Sequence, residues 1–241
     1  MSDLSNKRIG NFTASNAYRL CSSLKSGEPT EAFFTYVKEK MFERKLGRSL
    51  EMGAHSNSMV WGSFLEKRVF DNLPNNYEMV HKKTFVHPEY SFLVGTPDFI
   101  VKKEKDIELK CFEPKNFASY VSALLTEDLD FIKKEHPKEY WQIVQNTCIL
   151  DFKKGEAICY MPYESEMEEI RELANDESYY GELGLLPWQV RFIQEKANSD
   201  LAVLPNDSKF LNLNIFEFDV PTKDKEFLIE RAIKGNNLIS L

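Results

Sequence analysis

The chain has 241 residues, a formal net charge of −7 at pH 7, 42% hydrophobic residues and 29% charged residues. These proportions are those of an ordinary globular protein and exclude an intrinsically disordered chain or a collagen-like fibre. No run of about 18 apolar residues occurs that could cross a membrane, and the polar N-terminus lacks the apolar stretch of a signal peptide. The four cysteines form no CxxC pair, which argues against a zinc ribbon or an iron–sulfur cluster. We therefore expect a soluble, cytoplasmic protein with reduced cysteines and no membrane partner.

The negative charge is concentrated in one segment. Residues 164–177 contain seven acidic side chains and a single basic one, Arg171. Elsewhere acids and bases nearly balance, with local basic clusters such as Lys102, Lys103 and Lys105. The net charge therefore does not exclude a DNA-binding face on the rest of the molecule.

Hydrophobic periodicity and turn residues predict helices and strands in a mixed order. The predicted elements, in chain order, are a short helix after Phe12 capped by Thr13 or Ser15, a helix at about 29–45, a loop at 47–58, a helix from Ser58, strands at 79–86, 92–101 and 107–112 with a turn at 104–106, a helix at 138–150, a strand at 157–161, an acidic helix begun by a Ser165–Glu168 capping box, a helix at 186–198, a strand at 211–220 and a helix at 222–233. This order predicts an α/β (α+β) fold in which helices flank a mixed central sheet. We expect a single domain over residues 1–241, with an insertion at about 163–208.

Two short motifs carry side chains suited to phosphate chemistry. Glu108 and Lys110 lie on the same face of a predicted strand, and a turn near Lys105 would bring them beside Asp98. Two carboxylates suit a hard cation such as Mg²⁺, and an adjacent lysine suits an attacking water or a phosphate that gains charge. The apolar residues around them predict a protected edge of the sheet. A Pro-Asp turn and a solvated Glu-x-Lys pair are the common alternatives, and the residues alone leave them open.

Five motifs follow one another along the chain: Arg8-Ile9-Gly10-Asn11-Phe12-Thr13-Ala14-Ser15, Trp61-Gly62-Ser63-Phe64-Leu65-Glu66, Thr96-Pro97-Asp98, Glu108-Leu109-Lys110-Cys111 and Tyr140-Trp141-Gln142. Together they resemble the motifs of the phage lambda exonuclease, or YqaJ-type viral recombinase, family of the PD-(D/E)xK nuclease superfamily. The resemblance covers about residues 8–150 and implies a restriction-endonuclease-like core.

The activity that this resemblance implies is a Mg²⁺-dependent 5′-to-3′ exonuclease, with Mn²⁺ as a substitute metal. Such an enzyme degrades linear double-stranded DNA to mononucleotides and leaves 3′ overhangs for a single-strand annealing protein in recombination. The resemblance further implies a homotrimer and, for a phage-encoded chain, the cytoplasm of the bacterial host. A PD-(D/E)xK endonuclease of repair or restriction and an inactive DNA-end-binding scaffold are the alternatives.

The family resemblance also implies roles for individual residues. Asp98 and Glu108 would ligate the metal, with the Leu109 carbonyl as a further ligand. Lys110 would position the nucleophilic water, and Glu66 would assist a second metal or its waters.

Three further residues would hold the 5′-terminal phosphate of the DNA by this resemblance: Arg8, Ser15 and Thr96. A guanidinium and two hydroxyls suit a phosphate on chemical grounds as well. Ser15 could equally be a helix cap.

The helix after the lysine motif departs from the family pattern. The family shows Gln-x-Gln, whereas this chain has Gln142 and Gln145 separated by two residues. Matching Trp141 to the family tryptophan makes Gln142 the active-site residue, which we favour. Matching the later glutamine would place Ile143 there, and two glutamines on an exposed helix face are a further alternative.

Overall fold

The computed structural model describes residues 7–50, 57–80, 83–199, 201 and 203–239. Its strands are β1 (Phe12–Thr13), β2 (Tyr77–Met79), β3 (Phe85–Val86), β4 (Leu93–Gly95), β5 (Phe99–Val101), β6 (Lys105–Lys110), β7 (Lys154–Tyr160) and β8 (Leu213–Asp219). Its α-helices are α1 (Ala17–Leu20), α2 (Glu31–Leu46), α3 (Asn57–Asp71), α4 (Pro114–Leu124), α5 (Leu129–Glu135), α6 (Pro137–Leu150), α7 (Met167–Leu173), α8 (Glu177–Leu183), α9 (Pro187–Ala197) and α10 (Thr222–Ile239). Short 3₁₀ helices precede α1 and α7, at Ala14–Asn16 and Glu164–Glu166.

The larger sheet has the strand order β2-β5-β6-β7-β8 and is mixed. Strands β6 and β7 run parallel, from the pair Lys105 and Lys154 to the pair Lys110 and Cys159, whereas the other neighbours run antiparallel. Strand β6 is the central strand, and the Glu-x-Lys motif lies at its C-terminal end, where Glu108 is buried. Residues 108–110 pair with β7, whereas β5 pairs only with residues 105–107.

The smaller sheet has the order β1-β4-β3, with β1 parallel to β4 and β3 antiparallel to it. Helix α6 contacts β4 of this sheet and also β6 and β7 of the larger sheet. Every residue of α6 from Glu139 to Ile149 is buried. Gln145 Nε2 donates to the carbonyls of Phe12 (2.8 Å) and Val94 (2.9 Å), so one buried side chain joins α6 to β1 and β4.

Two hydrophobic cores use opposite faces of the larger sheet, because side chains alternate along each strand. Ala157 and Cys159 of β7 face a core that includes residues of α1, α2, α6 and α10. Ile158 and Tyr160 face a second core with residues of α3, α7, α8 and α9. Helices α7 to α9 belong to the segment 163–208 that we expected to be an insertion, and they pack against α3 and the sheet.

The boundaries of several predicted strands are corrected by the structure. The strand predicted at 92–101 is divided into β4 and β5, which belong to different sheets, because Pro97 cannot donate to a ladder. The strand predicted at 79–86 is divided in the same way between β2 and β3. The turn lies at residues 102–104, with Lys103 at φ 60°, and not at 104–106. Strand β6 therefore begins at Lys105, which is buried and ion-paired with Glu156, so this lysine is no part of an exposed basic cluster.

The predicted helix caps are also corrected. Neither Thr13 nor Ser15 caps the helix that follows Phe12; their hydroxyls instead lie 3.4 Å from each other. The box predicted from Ser165 is displaced, since Glu166 accepts from the backbone N–H of Tyr163 at 2.7 Å. Helices α4, α5 and α8 were not predicted. Part of the predicted loop at 47–58, residues 51–56, lies outside the described residues.

None of the helices in the described ranges is long and apolar enough to cross a membrane.

Candidate active site

A cleft of about 760 Å³ opens at the C-terminal end of β6. The residues singled out from the sequence all line this cleft: Arg8, Ser15, Glu66, Thr96, Asp98, Glu108, Leu109, Lys110 and Gln142. They come from the N-terminal segment, α3, the β4–β5 connection, β6 and α6. The structure thus brings together side chains that lie up to about 130 positions apart in the sequence.

The floor of the cleft is formed by Asp98, Glu108 and Lys110. Asp98 Oδ2 accepts the backbone N–H of Leu109 at 2.8 Å, which fixes this carboxylate beside the end of β6. The Lys110 ammonium contacts Glu108 Oε1. Glu108 is buried, with 1% of its surface exposed, so the pair lies in a poorly solvated environment. This is the convergence of two carboxylates and an ammonium that the strand pattern predicts.

The charged groups on the cleft floor shift one another's pKa values. Burial raises the pKa of Glu108, and the neighbouring charge of Asp98 raises it further. Burial likewise raises the pKa of Asp98, although Lys110 opposes this shift. Burial alone would lower the pKa of Lys110, but the two carboxylates outweigh it and raise the pKa. A buried and a partly buried carboxylate beside one ammonium leave an excess of negative charge, which a cation would neutralise.

One carboxylate oxygen on the floor has no hydrogen-bond donor in the described part of the chain. Glu108 Oε2 is buried and accepts no hydrogen bond from the described residues. No group of three His, Cys, Asp or Glu side chains suited to a metal ion occurs in the described part of the chain. The oxygens that the cleft floor offers to a cation are those of the Asp98 and Glu108 carboxylates and the Leu109 carbonyl. That set fits Mg²⁺, which binds proteins through one or two carboxylates and keeps several waters.

The two glutamines of α6 have different surroundings. Gln142 Nε2 donates to Glu108 Oε1, and Gln142 lines the cleft. Gln145 points to the Phe12 and Val94 carbonyls and does not line it. Gln142 is therefore the glutamine that touches the carboxylate cluster. Neither residue lies on an exposed helix face, since both are buried.

The hydroxyl and guanidinium groups expected to bind phosphate also line the cleft. Thr96 Oγ1 lies 3.2 Å from Thr84 Oγ1, and Ser15 Oγ lies 3.4 Å from Thr13 Oγ1. Arg8 is half-buried. Glu66 reaches the cleft from α3.

Several residues of the cleft were not predicted from the sequence. Thr84, Asn16 and Lys138 line it, and they belong to no motif that singles them out. Asp106 of β6 is fully buried, which raises the pKa of its carboxyl, and the side chain of Asn146 of α6 lies beside it. The two-residue period of β6 could have identified Asp106, since it lies on the same face as Glu108.

These features define the class of protein. A mixed sheet flanked by helices, with an Asp and a Glu-x-Lys motif at the end of its central strands, is the PD-(D/E)xK nuclease fold. The predicted fold class is confirmed. The chain belongs to the YqaJ-like viral recombinase domain family, whose model matches residues 4–150.

Solved structures resemble the chain over nearly its whole length. An alkaline exonuclease from Laribacter hongkongensis superimposes with a TM-score of 0.59 at 14% identity, covering 100% of this chain and 95% of that one. The same exonuclease in complex with dAMP gives a TM-score of 0.56 at 14% identity, covering 99% and 96%. A phage-related exonuclease from Haemophilus somnus 129PT gives 0.56 at 13% identity, covering 95% and 93%. No curated protein sequence matches significantly.

Proposed function

We propose that the protein is a Mg²⁺-dependent exonuclease that degrades linear double-stranded DNA from the 5′ end. The observation that carries this proposal is the pair of Asp98, which is partly buried, and Glu108, which is buried, with Lys110 against Glu108 at the floor of an open cleft. Family membership and the exonuclease neighbours of the same fold support it.

The cleft residues divide into a metal-binding set and a set that acts on water and phosphate. Asp98, Glu108 and the Leu109 carbonyl would hold Mg²⁺, which supplies Lewis-acid activation of water and neutralises phosphate charge when bound. The Lys110 ammonium would hold the attacking water and stabilise the charge that develops on the phosphate. Gln142 would keep the Glu108 carboxylate oriented through its amide. Mn²⁺ would substitute for Mg²⁺, because it accepts the same oxygen ligands.

The proposed polarity rests on a second set of cleft residues. Arg8, Ser15 and Thr96 would bind a terminal 5′-phosphate, one nucleotide from the bond that is hydrolysed. Water attacks phosphorus, the bond to the 3′ oxygen breaks, and that oxygen takes a proton. A 5′-mononucleotide leaves, and the shortened strand again ends in a 5′-phosphate. The dAMP complex of the Laribacter exonuclease supports a mononucleotide product.

The biological setting is part of the same proposal. Removal of the 5′ strand leaves a 3′ overhang, which is a substrate for a single-strand annealing protein in recombination in the bacterial host cytoplasm. A homotrimer would surround the duplex and place basic residues toward it and the acidic segment 164–177 outward. Sedimentation should give a trimer at micromolar concentration; a monomer with and without DNA would contradict the ring.

The activity is tested with two DNA substrates. We expect 5′-phosphorylated linear duplex to be degraded in Mg²⁺ and closed-circular DNA to remain intact. EDTA should stop the reaction, and Lys110→Ala should slow it by at least about 100-fold. Label at the 5′ end should be released before label at the 3′ end.

Other outcomes would select the alternatives. Cleavage of the circle would indicate an endonuclease. Binding of DNA ends without cleavage of either substrate would indicate an inactive scaffold. Release of the 3′ label first would overturn the polarity but leave the nuclease assignment intact.

A further inference from the structure

Helix α2 holds the N-terminal segment that enters the cleft. The hydroxyl of Tyr36, a residue with 1% of its surface exposed, accepts the backbone N–H of Thr13 at 2.8 Å and lies 3.2 Å from Thr13 Oγ1. The Tyr36 ring is held by Phe12, with 5.6 Å between centroids, and by Arg19, whose guanidinium lies 4.7 Å from the ring centroid. The position of this hydroxyl is therefore fixed by packing.

The same helix fixes the segment at a second point. Gly10 has φ +68°, a left-handed conformation that favours glycine. Its N–H donates to Glu43 at 2.9 Å, and its carbonyl accepts from Arg44 Nε at 2.8 Å. Both sides of the residue are thus bound to α2. The backbone between Gly10 and Thr13 therefore has little conformational freedom. The same holds for the start of the 3₁₀ helix that carries Ser15.

The hydrogen bonds around Tyr36 are compatible with a directed chain of hydroxyl groups. The Tyr36 oxygen accepts the Thr13 amide, and Thr13 Oγ1 accepts from Asn16 Nδ2 at 3.3 Å, while either hydroxyl can donate in the contact between Tyr36 and Thr13. When Tyr36 donates to Thr13 Oγ1, the Thr13 hydroxyl is free to donate to Ser15 Oγ, 3.4 Å away. Burial raises the pKa of Tyr36, so the phenol keeps the proton that starts this chain. The Ser15 proton is left for a ligand in the cleft.

We propose that Tyr36 is a positioning residue for recognition of the 5′-phosphate. It acts through Thr13 and orients Ser15 Oγ as a hydrogen-bond donor toward the phosphate oxygens, which accept hydrogen bonds and at neutral pH donate almost none. This inference rests on the proposed function, in which Ser15 contacts the terminal phosphate. Tyr36 itself touches no substrate.

The test measures end preference by binding, without cleavage. The dissociation constants of a 5′-phosphorylated and a 5′-hydroxyl duplex are measured by fluorescence anisotropy in EDTA, and their ratio is the readout. Tyr36→Phe keeps the ring and removes the hydroxyl, and should reduce the preference for the phosphorylated end about 5- to 10-fold. Tyr160→Phe is the matched control, since its buried hydroxyl bonds Arg68 (2.6 Å) and Glu166 (3.1 Å) away from the cleft wall. It should leave the ratio unchanged.

A second comparison separates positioning from a general loss of structure. In a Ser15→Ala background, Tyr36→Phe should change the ratio no further, because its effect passes through Ser15. If Tyr36→Phe does not fold, Thr13→Val and Thr13→Ser test the same chain of hydrogen bonds. The valine variant should lose the preference and the serine variant should retain it.

The binding test distinguishes a failure of the Tyr36 role from a failure of the proposed 5′-phosphate site. An unchanged ratio in Tyr36→Phe, or equal losses for both ends, would overturn the positioning role alone. A ratio of dissociation constants near one in the wild type would contradict the proposed 5′-phosphate site and therefore also the role of Tyr36. The end-label assay would then test whether cleavage still has the proposed polarity.

Discussion

Gln142 of α6 and Glu108 of β6 are joined by a hydrogen bond from the amide Nε2 to carboxylate Oε1, the same oxygen that the Lys110 ammonium contacts. Two donors on one oxygen fix the orientation of the carboxylate. The other oxygen, Oε2, is left without a protein donor among the described residues. In the proposed enzyme, Oε2 would be the oxygen that binds the cation, and Gln142 would hold the carboxylate in the orientation that this requires.

Gln142 and Gln145 should differ sharply when each is replaced by alanine. Gln142→Ala should lower kcat about 10- to 100-fold with little change in melting temperature, because Glu108 loses its orientation. Gln145→Ala should cost about 2–4 kcal/mol of unfolding free energy, because the Phe12 and Val94 carbonyls lose their donor. Steady-state kinetics and urea unfolding measure the two effects. The reverse pattern would make Gln145 the active-site glutamine.

Addition of Mg²⁺ should stabilise the wild-type protein. At a concentration about 100 times the dissociation constant, binding contributes about 2.7 kcal/mol, which raises Tm by about 5–10 °C in a chain of this size. Glu108→Gln should abolish this shift, and without metal it should be at least as stable as the wild type, since a carboxylate beside Asp98 is removed. Glu78→Gln, on the exposed part of β2, is the control. Equal Mg²⁺ shifts in all three proteins would place the metal elsewhere.

His87 should make stability depend on pH. Burial lowers its pKa, and Nδ1 accepts the backbone N–H groups of Glu89 and Tyr90, both at 3.1 Å. The folded state therefore binds this proton less readily than the unfolded state, whose pKa is about 6.5. The contribution of His87 is complete above that pH and is lost as the pH falls below it toward the folded pKa.

The difference between wild type and His87→Asn isolates this effect. Asparagine can accept the same two amides but does not titrate, so its Tm should fall less between pH 7.5 and about 5.5. Parallel curves for wild type and His87→Asn would contradict the prediction.

Gly95→Ala should disturb the layer beneath the cleft. A Cβ at this position would collide with Asn146 Oδ1, and Asn146 is buried next to Asp106. We expect a loss of about 1–3 kcal/mol, together with slower cleavage. Gly181→Ala in α8 is the control, because its Cβ would meet nothing within 4 Å and alanine favours a helix. Gly181→Ala should be neutral or slightly stabilising.

The sequence motifs correctly predicted which residues meet in the cleft. Phosphate chemistry restricts the residue types at these motif positions, so the motifs can be recognised in the sequence. The course of the strands was harder to predict. The apolar stretch from Phe92 to Val101 has the same composition whether it forms one strand or two, and only Pro97 indicates the break. Helix α4 could have been predicted from the sequence. Pro114 lies in its first turn and is followed by apolar residues at helical spacing: Phe117, Tyr120, Val121 and Leu124.

Contacts between distant segments could not be read from local patterns. Tyr36 looks like an ordinary core aromatic in the sequence, and nothing near it indicates a bond to Thr13. Lys105 looks like one member of a basic cluster, yet it is buried between Glu156 and Glu217. Such partners depend on the tertiary fold. Sequence periodicity therefore predicts which face of a helix or strand a residue lies on, but not which group packs against that face.

The bonds from Gln145 to Phe12 and Val94 span 133 and 51 positions of the chain. Contacts of such long range form late, because the loops between them must close first. During synthesis, the strands that carry the carboxylates emerge from the ribosome before the helix that completes the cleft, because they precede it in the chain. A growing chain that stops short of residue 150 has the acidic residues but no assembled site, so the capacity to hydrolyse DNA should arise only as the final tertiary structure is completed.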